Sequence, residues 1–258
     1  CKSVDFDGKT KETILVDSVY DNFLYSKSQE DNIYILCQSR NKNHLLFSYD
    51  GEGWQTEEVY LRREFGSIIP LGLFALSDGI HIIFAKKLSL EHYYDLFQLR
   101  KSKDVWEKNF VCEIYSKTVM RSLGIKMTNY NMLHMISMLF NGESSSLYYY
   151  SYNAGNAQWS NTPIVNLNHN NIYVKSLILE NILHLFCYNY DDAISLFYFM
   201  KHVKKDSNFS LVDIVKLSAV PKDCDIVLDI INDVLKVSYI NKNNYYEIDF
   251  KSVLDTYL

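Results

Sequence analysis

Apolar and polar positions alternate along most of the chain in short runs that are separated by tight polar turns. One such run recurs five times, with its second residue at Ile33, Ile80, Leu133, Leu183 and Leu235, so that successive copies begin 47 to 53 residues apart. Within each copy an apolar, a polar and an apolar residue alternate, which is typical of a strand with one buried face. The pattern therefore predicts a repeated β-structure.

Two further markers keep the same phase. Each copy is followed by a pair of apolar or aromatic residues, of which Leu46-Phe47 is the first. In four copies an aromatic residue then opens another strand: Trp54, Trp106, Trp159 and Phe209. Because three independent markers recur in register, we interpret the chain as an internal repeat.

Each unit of the repeat reads as four antiparallel strands. An apolar segment precedes each copy across a tight turn such as Asp78-Gly79, which suits a hairpin. In the third unit the strands are predicted at residues 120–129, 132–139, 146–152 and 159–166. Four-stranded units of about 50 residues are the sequence form of β-propeller blades.

We therefore predict an all-β fold, a single domain over residues 1–258 that forms a five-bladed β-propeller. The blades are expected at residues 18–66, 67–119, 120–171, 172–222 and 223–258. A strand at residues 11–17 is expected to close the ring against the last blade, with residues 251–258 as the alternative. Closure removes open sheet edges, which would otherwise promote aggregation.

Two other folds compete with this prediction. Residues 223–237 also fit an amphipathic helix, because Ile226, Ile230 and Val234 follow four-residue spacing, but their phase in the repeat favours two strands. A two-sheet sandwich also contains many short strands. It would not explain an aromatic residue that recurs in register, so the propeller is preferred.

Composition excludes several classes of protein. Hydrophobic residues make up 48% of the chain and charged residues 22%, and 26 basic side chains face 31 acidic ones, a formal charge of −5. Nucleic-acid-binding domains are usually strongly basic, so we expect no nucleic-acid partner. The sequence contains no long apolar run of the kind that spans a membrane and no recognisable signal peptide.

The five cysteines follow no metal-binding or disulfide spacing. Cys37, Cys112, Cys187 and Cys224 lie in or beside apolar runs and are predicted to be small buried residues. Cys1 is interpreted as the point at which the expressed segment was chosen to begin. The alternative is that Cys1 is the first residue of a mature bacterial lipoprotein. The compartment is accordingly cytoplasmic, or extracytoplasmic if the lipoprotein interpretation holds.

The blade motif has the form Leu-His-apolar, then Leu-Tyr or Leu-Phe, then Trp, as in Leu133-His134-Met135, Leu147-Tyr148 and Trp159. In this respect the chain resembles β-propellers of a broad bacterial kind, whose five-bladed members include tachylectin-type lectins and arabinanase-type glycosidases. The tryptophan-aspartate dipeptide and the double glycines of other propeller families are absent. The resemblance implies the architecture and does not by itself assign an activity.

Three histidines occupy one equivalent position in consecutive units: His81, His134 and His184. Strand spacing places the second strand of a blade about 12 Å from the axis, so that equivalent points lie about 14 Å apart. Metal–nitrogen bonds are about 2.1 Å long, so the three imidazoles are too distant to share an ion. We predict no metal site and no cofactor, and expect these side chains to pack or hydrogen-bond between blades.

An arabinanase-like glycosidase would need carboxylates on the innermost strands, facing the central funnel. The innermost segments of blades two to four, residues 67–76, 121–128 and 173–179, contain neither Asp nor Glu. Asp21, Asp225 and Asp229 are the remaining candidates, and they do not form a convincing pair. No catalytic residue is predicted, and we expect a protein that is not an enzyme.

Two sets of residues are candidates for ligand binding. Basic residues on innermost strands are predicted to attract an acidic group, or alternatively to pair with nearby acids: Arg121, Lys126 and Lys175. Tyrosines of the third blade are predicted to form an exposed patch, or alternatively to fill the space between blades: Tyr149, Tyr150 and Tyr152.

The sequence thus predicts a monomeric, non-catalytic scaffold that binds a protein or a carbohydrate at its loop face or central funnel. A lectin and an arabinanase-like glycoside hydrolase are the alternatives. A lectin with several identical sites is disfavoured, because the blade loops differ, as between residues 40–43 and 144–146.

Overall fold

The computed structural model describes seventeen segments of the chain: residues 2–4, 10–12, 19–39, 43–59, 68–88, 91–103, 105–115, 123–128, 131–140, 142–167, 172–179, 181–189, 194–202, 208–217, 225–231, 234–241 and 244–249. All regular elements in these segments are β-strands. None of the described residues belongs to a helix that could cross a bilayer.

The strands form antiparallel sheets in chain order. Strands β1 (Lys2–Val4) and β2 (Thr10–Glu12) form a separate pair. The first sheet consists of β3 (Val19–Lys27), β4 (Ile33–Ser39), β5 (His44–Tyr49) and β6 (Trp54–Val59). The second sheet consists of β7 (Ile68–Leu76), β8 (Gly79–Lys87), β9 (Tyr93–Ser102) and β10 (Val105–Tyr115).

The later sheets repeat this arrangement. The third consists of β11 (Gly124–Thr128), β12 (Met132–Phe140), β13 (Ser145–Asn153) and β14 (Gln158–Leu167). The fourth consists of β15 (Ile172–Leu179), β16 (Ile182–Asn189), β17 (Ile194–His202) and β18 (Ser210–Leu217). In the fifth, the described strands are β19 (Asp225–Ile231), β20 (Val234–Asn241) and β21 (Asn244–Asp249).

The predicted all-β class and its four-stranded antiparallel units are confirmed. In the third sheet the observed strands agree closely with the predicted ones. The helical alternative for residues 223–237 is wrong, because β19 and β20 form a hairpin in which Ile231 pairs with Val234. The number of blades and the single domain stay predictions.

The strand predicted at residues 11–17 does not pair with the fifth sheet in the part that the structure describes. Lys11 and Glu12 pair with Ser3 and Lys2 in the β1–β2 hairpin, and not with the fifth sheet. The rest of that segment, residues 13–17, and the alternative closing segment, residues 251–258, lie outside the described residues.

The chain divides into two compact units, Cys1–Cys112 and Glu113–Leu258, and each has its own core. The core of the first unit includes Leu36, Leu46, Leu73, Ile82 and Phe84. The core of the second includes Ile136, Leu147, Leu183, Leu185 and Cys187. In both units, side chains of neighbouring sheets bury apolar surface against each other, which is the main source of stability.

The central strands are buried on both faces. In β8 every residue from His81 to Ala85 is buried, and in β12 burial is continuous from Leu133 to Met138. The sequence of such a strand is a nearly continuous run of apolar residues, because both faces of the strand contact other elements. Three cysteines are free and buried as predicted, Cys37, Cys112 and Cys187, whereas Cys1 and Cys224 lie outside the described residues.

First strands of neighbouring sheets contact each other within each unit: β3 contacts β7, and β11 contacts β15. One buried hydrogen bond joins the first pair, since the backbone N–H of Ala75 in β7 donates to Ser26 Oγ in β3 at 3.0 Å. This bond ties the first sheet to the second on the side of their first strands.

Replacing Ser26 with alanine is expected to lower the free energy of unfolding by about 1–2 kcal/mol, because the Ala75 N–H then stays buried without its acceptor. Urea denaturation of the purified protein measures this loss. The control is Ser160→Ala, which removes an exposed hydroxyl of β14 that is hydrogen-bonded to Ser151 Oγ at 2.7 Å. Equal stability losses in the two variants would show that the buried bond between the sheets contributes no more than an exposed bond within one sheet.

Candidate functional site

A cleft of about 340 Å³ lies between the first and second sheets, within the first compact unit. The first sheet and its turns contribute hydroxyl, amide, carboxylate and aromatic groups: Asn32, Tyr34, Ser48, Tyr49, Asp50 and Gln55. The second sheet contributes two ammonium groups and the start of its second strand: Gly79, Ile80, Lys101 and Lys103. The cleft therefore combines aromatic surface with hydrogen-bond donors and acceptors, as small-molecule sites do.

Tyr49 ends β5 and is held in place from two directions. Its ring lies 5.2 Å from the ring of Trp54, its cross-strand partner, at an interplanar angle of 37°. Its hydroxyl donates to the carbonyl oxygen of Gly51 at 2.8 Å. These contacts fix the orientation of a half-buried aromatic ring at the edge of the cleft.

The turn between β5 and β6 positions a carboxylate. Asp50 Oδ1 accepts hydrogen bonds from the backbone N–H groups of Glu52, at 3.0 Å, and Gly53, at 3.1 Å. These bonds stabilise the charged form and lower the pKa of Asp50. Gly51 adopts a φ of 97°, which glycine tolerates without steric cost. The cleft thus contains a fixed negative charge at neutral pH.

A polar cluster joins the two sheets next to the cleft. Lys101 Nζ, from β9 of the second sheet, forms a short ion pair with Glu57 Oε2, from β6 of the first sheet. Glu57 Oε1 accepts a hydrogen bond from Trp106 Nε1 at 3.0 Å, and Lys101 Nζ lies 6.0 Å from the centre of the Trp106 ring. Three side chains therefore hold one another across the boundary between the sheets.

All three equivalent histidines are buried, and hydrogen bonds hold His81 and His134. His81 Nε2 lies 2.9 Å from Asp78 Oδ1, and Gln98 Nε2 lies 2.8 Å from His81 Nδ1. His134 lies 2.7 Å from Thr128 Oγ1 through Nε2 and 2.7 Å from the Tyr149 hydroxyl through Nδ1. The predicted hydrogen bonding is therefore present for these two, but the bonds run within a sheet and not between blades.

Among the described residues no group of three or more His, Cys, Asp or Glu side chains is arranged to hold a metal ion. Burial instead lowers the pKa of His134 to about 4, helped by the positive charge of Lys201, and burial lowers the pKa of His184 to about 4. These imidazoles are consequently neutral at pH 7.

Neither described residue of the predicted basic lining is among the residues that line the cleft. Lys126 is exposed on β11, Lys175 is partly buried on β15, and these two strands contact each other. Arg121 lies outside the described residues. The two lysines are in the second compact unit, and neither lines the cleft of the first.

The predicted exposed tyrosine patch is wrong. Tyr149, Tyr150 and Tyr152 are buried, with exposed fractions of 5%, 9% and 1%. Tyr149 packs edge-on against Phe209 at 5.4 Å, and Tyr152 packs against Trp159 at 5.4 Å. The alternative prediction, in which these rings fill space in the core, is the one that the structure supports.

The candidate carboxylates of a glycosidase fall on first strands, Asp21 in β3 and both Asp225 and Asp229 in β19. Their side chains lie outside the described residues. No two of the ten residues that line the described cleft are carboxylates, since Asp50 is the acidic member of that set.

Sequence reasoning missed the cleft, although a signal for it was present. The contacts that join the first two sheets link residues about one repeat apart: Lys101 and Glu57 are 44 positions apart, and Trp106 and Glu57 are 49 apart. Opposite charges and aromatic residues separated by one repeat length are therefore candidates for contact between adjacent blades.

Comparisons with known proteins concern the fold alone. No protein-family model and no curated protein matches the chain. A solved α-L-arabinanase from Penicillium chrysogenum, in complex with arabinobiose, is 8% identical and has a TM-score of 0.52 over 91% of this chain and 82% of the enzyme.

An α-L-arabinofuranosidase from Fusarium graminearum is 9% identical, with a TM-score of 0.49 over 89% of this chain and 80% of that enzyme. The Aleuria aurantia lectin is 12% identical, with a TM-score of 0.47 over 88% of this chain and 74% of the lectin. At such low identity the match to the arabinanase supports a propeller-like all-β fold, and no specific family is assigned.

Proposed function

We propose that this protein is a non-catalytic binding protein whose ligand is a carbohydrate held in the cleft between the first and second sheets. The observation that carries the proposal is the lining of that cleft, where a fixed aromatic ring, Tyr49, lies beside hydroxyl, amide, carboxylate and ammonium groups. A sugar presents both apolar C–H faces and hydroxyls that donate and accept hydrogen bonds, so it matches this combination.

The size of the cleft favours a small ligand over a protein surface. Its volume of about 340 Å³ lies at the lower end of ligand pockets, which span roughly 300–1,000 Å³. A protein partner would instead need a broad surface of about 800 Å² on each side. One or two sugar units therefore fit the cleft better than a folded partner does.

The charges of the cleft favour binding over hydrolysis. Glycosidases need two carboxyl groups on either side of the scissile bond. In the described cleft Asp50 supplies one carboxylate, and the nearby Glu57 is held in its ion pair with Lys101. A catalytic carboxylate pair is therefore not part of the proposed site.

The proposal is tested by screening the labelled protein on a glycan array and measuring the strongest ligand by titration calorimetry. Gln55→Ala and Lys103→Ala are each expected to weaken binding about tenfold, since one lost hydrogen bond of about 1.4 kcal/mol corresponds to tenfold in affinity. The matched controls are Asn161→Ala and Lys126→Ala, which remove the same kinds of group from exposed strand positions outside the cleft.

Two results would contradict the proposal. Absence of any saccharide binding on the array would overturn the ligand class. Loss of binding in Lys126→Ala, with Lys103→Ala unaffected, would instead place the ligand at the first strands, where Arg121, Lys126 and Lys175 were predicted to bind it. Unchanged affinity in the controls and weakened affinity in the two cleft variants is the expected outcome.

A further inference from the structure

The positive and negative charges around the cleft balance one another. This balance affects whether the cleft prefers a neutral or a charged saccharide. Three charged residues line the cleft: Asp50, Lys101 and Lys103. Glu57 does not line it, but its carboxylate pairs with Lys101. Two positive and two negative groups therefore surround the ligand space.

Glu57 belongs to the first sheet and pairs with Lys101 of the second sheet. It reaches Lys101 across the boundary between β6 and β9, and its second oxygen is fixed by the Trp106 Nε1–H at 3.0 Å. The Lys101 and Glu57 side chains are only 19% and 34% exposed, so the pair is partly shielded from water. Shielding strengthens the mutual attraction relative to two exposed charges.

We propose that Glu57 is a positioning residue that sets the charge class of the ligand, so that the cleft selects uncharged saccharides over saccharides that carry a carboxylate. This inference rests on the proposed carbohydrate function of the cleft. With Lys101 neutralised by Glu57, an incoming carboxylate meets a nearly balanced site that also contains the fixed Asp50 charge. The remaining cation, Lys103, is exposed to water and shares the cleft with the Asp50 carboxylate, so an incoming carboxylate loses hydration for little net attraction, which opposes its binding.

The experiment compares neutral sugars with their acidic counterparts by titration calorimetry at low salt. The probes are the methyl glycosides of glucose, galactose and mannose and the corresponding glucuronic, galacturonic and mannuronic acid glycosides. For the sugar that binds, the wild-type protein is expected to prefer the neutral form at least tenfold. Glu57→Gln is expected to reduce this preference about tenfold, because it frees the Lys101 charge while keeping an acceptor for Trp106.

The control variant is Glu58→Gln, which changes the net charge of the protein by the same amount. Glu58 is exposed and follows Glu57 on β6, so its side chain points to the other face of the sheet. The control is expected to leave the neutral-to-acidic preference unchanged. The effect of Glu57→Gln is expected to fade near 1 M salt, where the screening length falls to about 3 Å.

The outcomes separate the two proposals. If the wild-type protein binds the uronic acid as tightly as the neutral sugar, the charge-class inference fails while the carbohydrate function stands. If Glu58→Gln shifts the preference as much as Glu57→Gln, the effect is one of overall charge and the inference also fails. If no probe and no glycan binds the wild-type protein, both proposals fail. The wild-type preference tests the inference even if Glu57→Gln does not fold.

Discussion

Lowering the pH from 7 to 5 is expected to reduce the free energy of unfolding by about 4 kcal/mol, because two buried histidines bind protons far more readily in the unfolded chain. His134 and His184 are each 1% exposed, and the pKa of each is lowered to about 4. Burial is the main cause in both, and the positive charge of Lys201 adds to it at His134.

The sign follows from the number of protons that each state binds. An unfolded histidine has a pKa of about 6.5, so between pH 6.5 and 4 the unfolded chain carries more protons than the folded one. The free energy of unfolding therefore keeps its full value with respect to these two histidines above pH 6.5, and it decreases as the pH falls toward 4. Each histidine accounts for about 2 kcal/mol at pH 5 and about 3 kcal/mol below pH 4. The pKa of His44 is lowered in the same direction by burial.

Denaturant unfolding at pH 7 and pH 5 measures the effect. His134→Gln removes the titrating group while keeping a side chain that can bond Thr128 and Tyr149, and it is expected to shrink the difference between the two pH values by about 2 kcal/mol. Met135→Leu is the control, because it changes a fully buried neutral neighbour. A pH difference that is the same in His134→Gln, Met135→Leu and wild type would contradict the assignment.

The strands were predictable because the features that mark them are local. A turn such as Asp78-Gly79 and a Trp near the start of a strand depend on a few adjacent residues. Trp54, Trp106 and Trp159 all lie at or next to the start of the fourth strand of their sheet. Burial on both faces of β8 was less evident, because it requires neighbouring elements that the strand's own alternation does not reveal.

The candidate site was not predictable in the same way, because it is made by residues of different sheets. Tyr149 and Tyr152 belong to a conspicuous tyrosine-rich run, yet both are buried. Phe209, which is distant in sequence, packs against Tyr149, and Trp159, which follows a turn, packs against Tyr152. Tyr49 also packs against a tryptophan that follows a turn, Trp54, yet it remains half-exposed at the cleft. Which face of a strand is covered depends on the next sheet, so local clustering of aromatic residues was a poor guide.

Residues that join neighbouring sheets are separated in the sequence by about one repeat length. Ser26 and Ala75 are 49 positions apart, as are Glu57 and Trp106, and both pairs join the first sheet to the second. A repeat of about 50 residues brings equivalent strands of adjacent sheets together, so polar partners are expected at about that separation. Pairs of polar residues at this distance therefore predict the polar cluster of Glu57, Lys101 and Trp106.

Gly79 is the residue at which a single methyl group is expected to damage both the fold and the cleft. Its φ is +136°, and a Cβ added there would lie 2.0 Å from the carbonyl oxygen of Lys101 and 3.0 Å from its carbonyl carbon. Both atoms belong to the backbone of β9, so no rotation of a side chain can relieve the overlap. The start of β8 and the end of β9 would have to separate, and Lys101 would move with them.

Gly79→Ala is therefore expected to lower the free energy of unfolding by about 3 kcal/mol or more, the sum of left-handed backbone strain of about 1 kcal/mol and steric overlap in a packed region. It is also expected to abolish ligand binding, because Gly79 and Lys101 both line the cleft.

The matched control is Gly142→Ala, at a φ of +99° with no atom within 4 Å of the added Cβ, which isolates the backbone strain. Denaturant unfolding of both variants measures the difference between them. Because the strain is common to both, the excess destabilisation of Gly79→Ala reports the close approach of β8 and β9. Equal losses would mean that the two strands separate without cost, and the cleft would then not be the rigid site that selective binding needs.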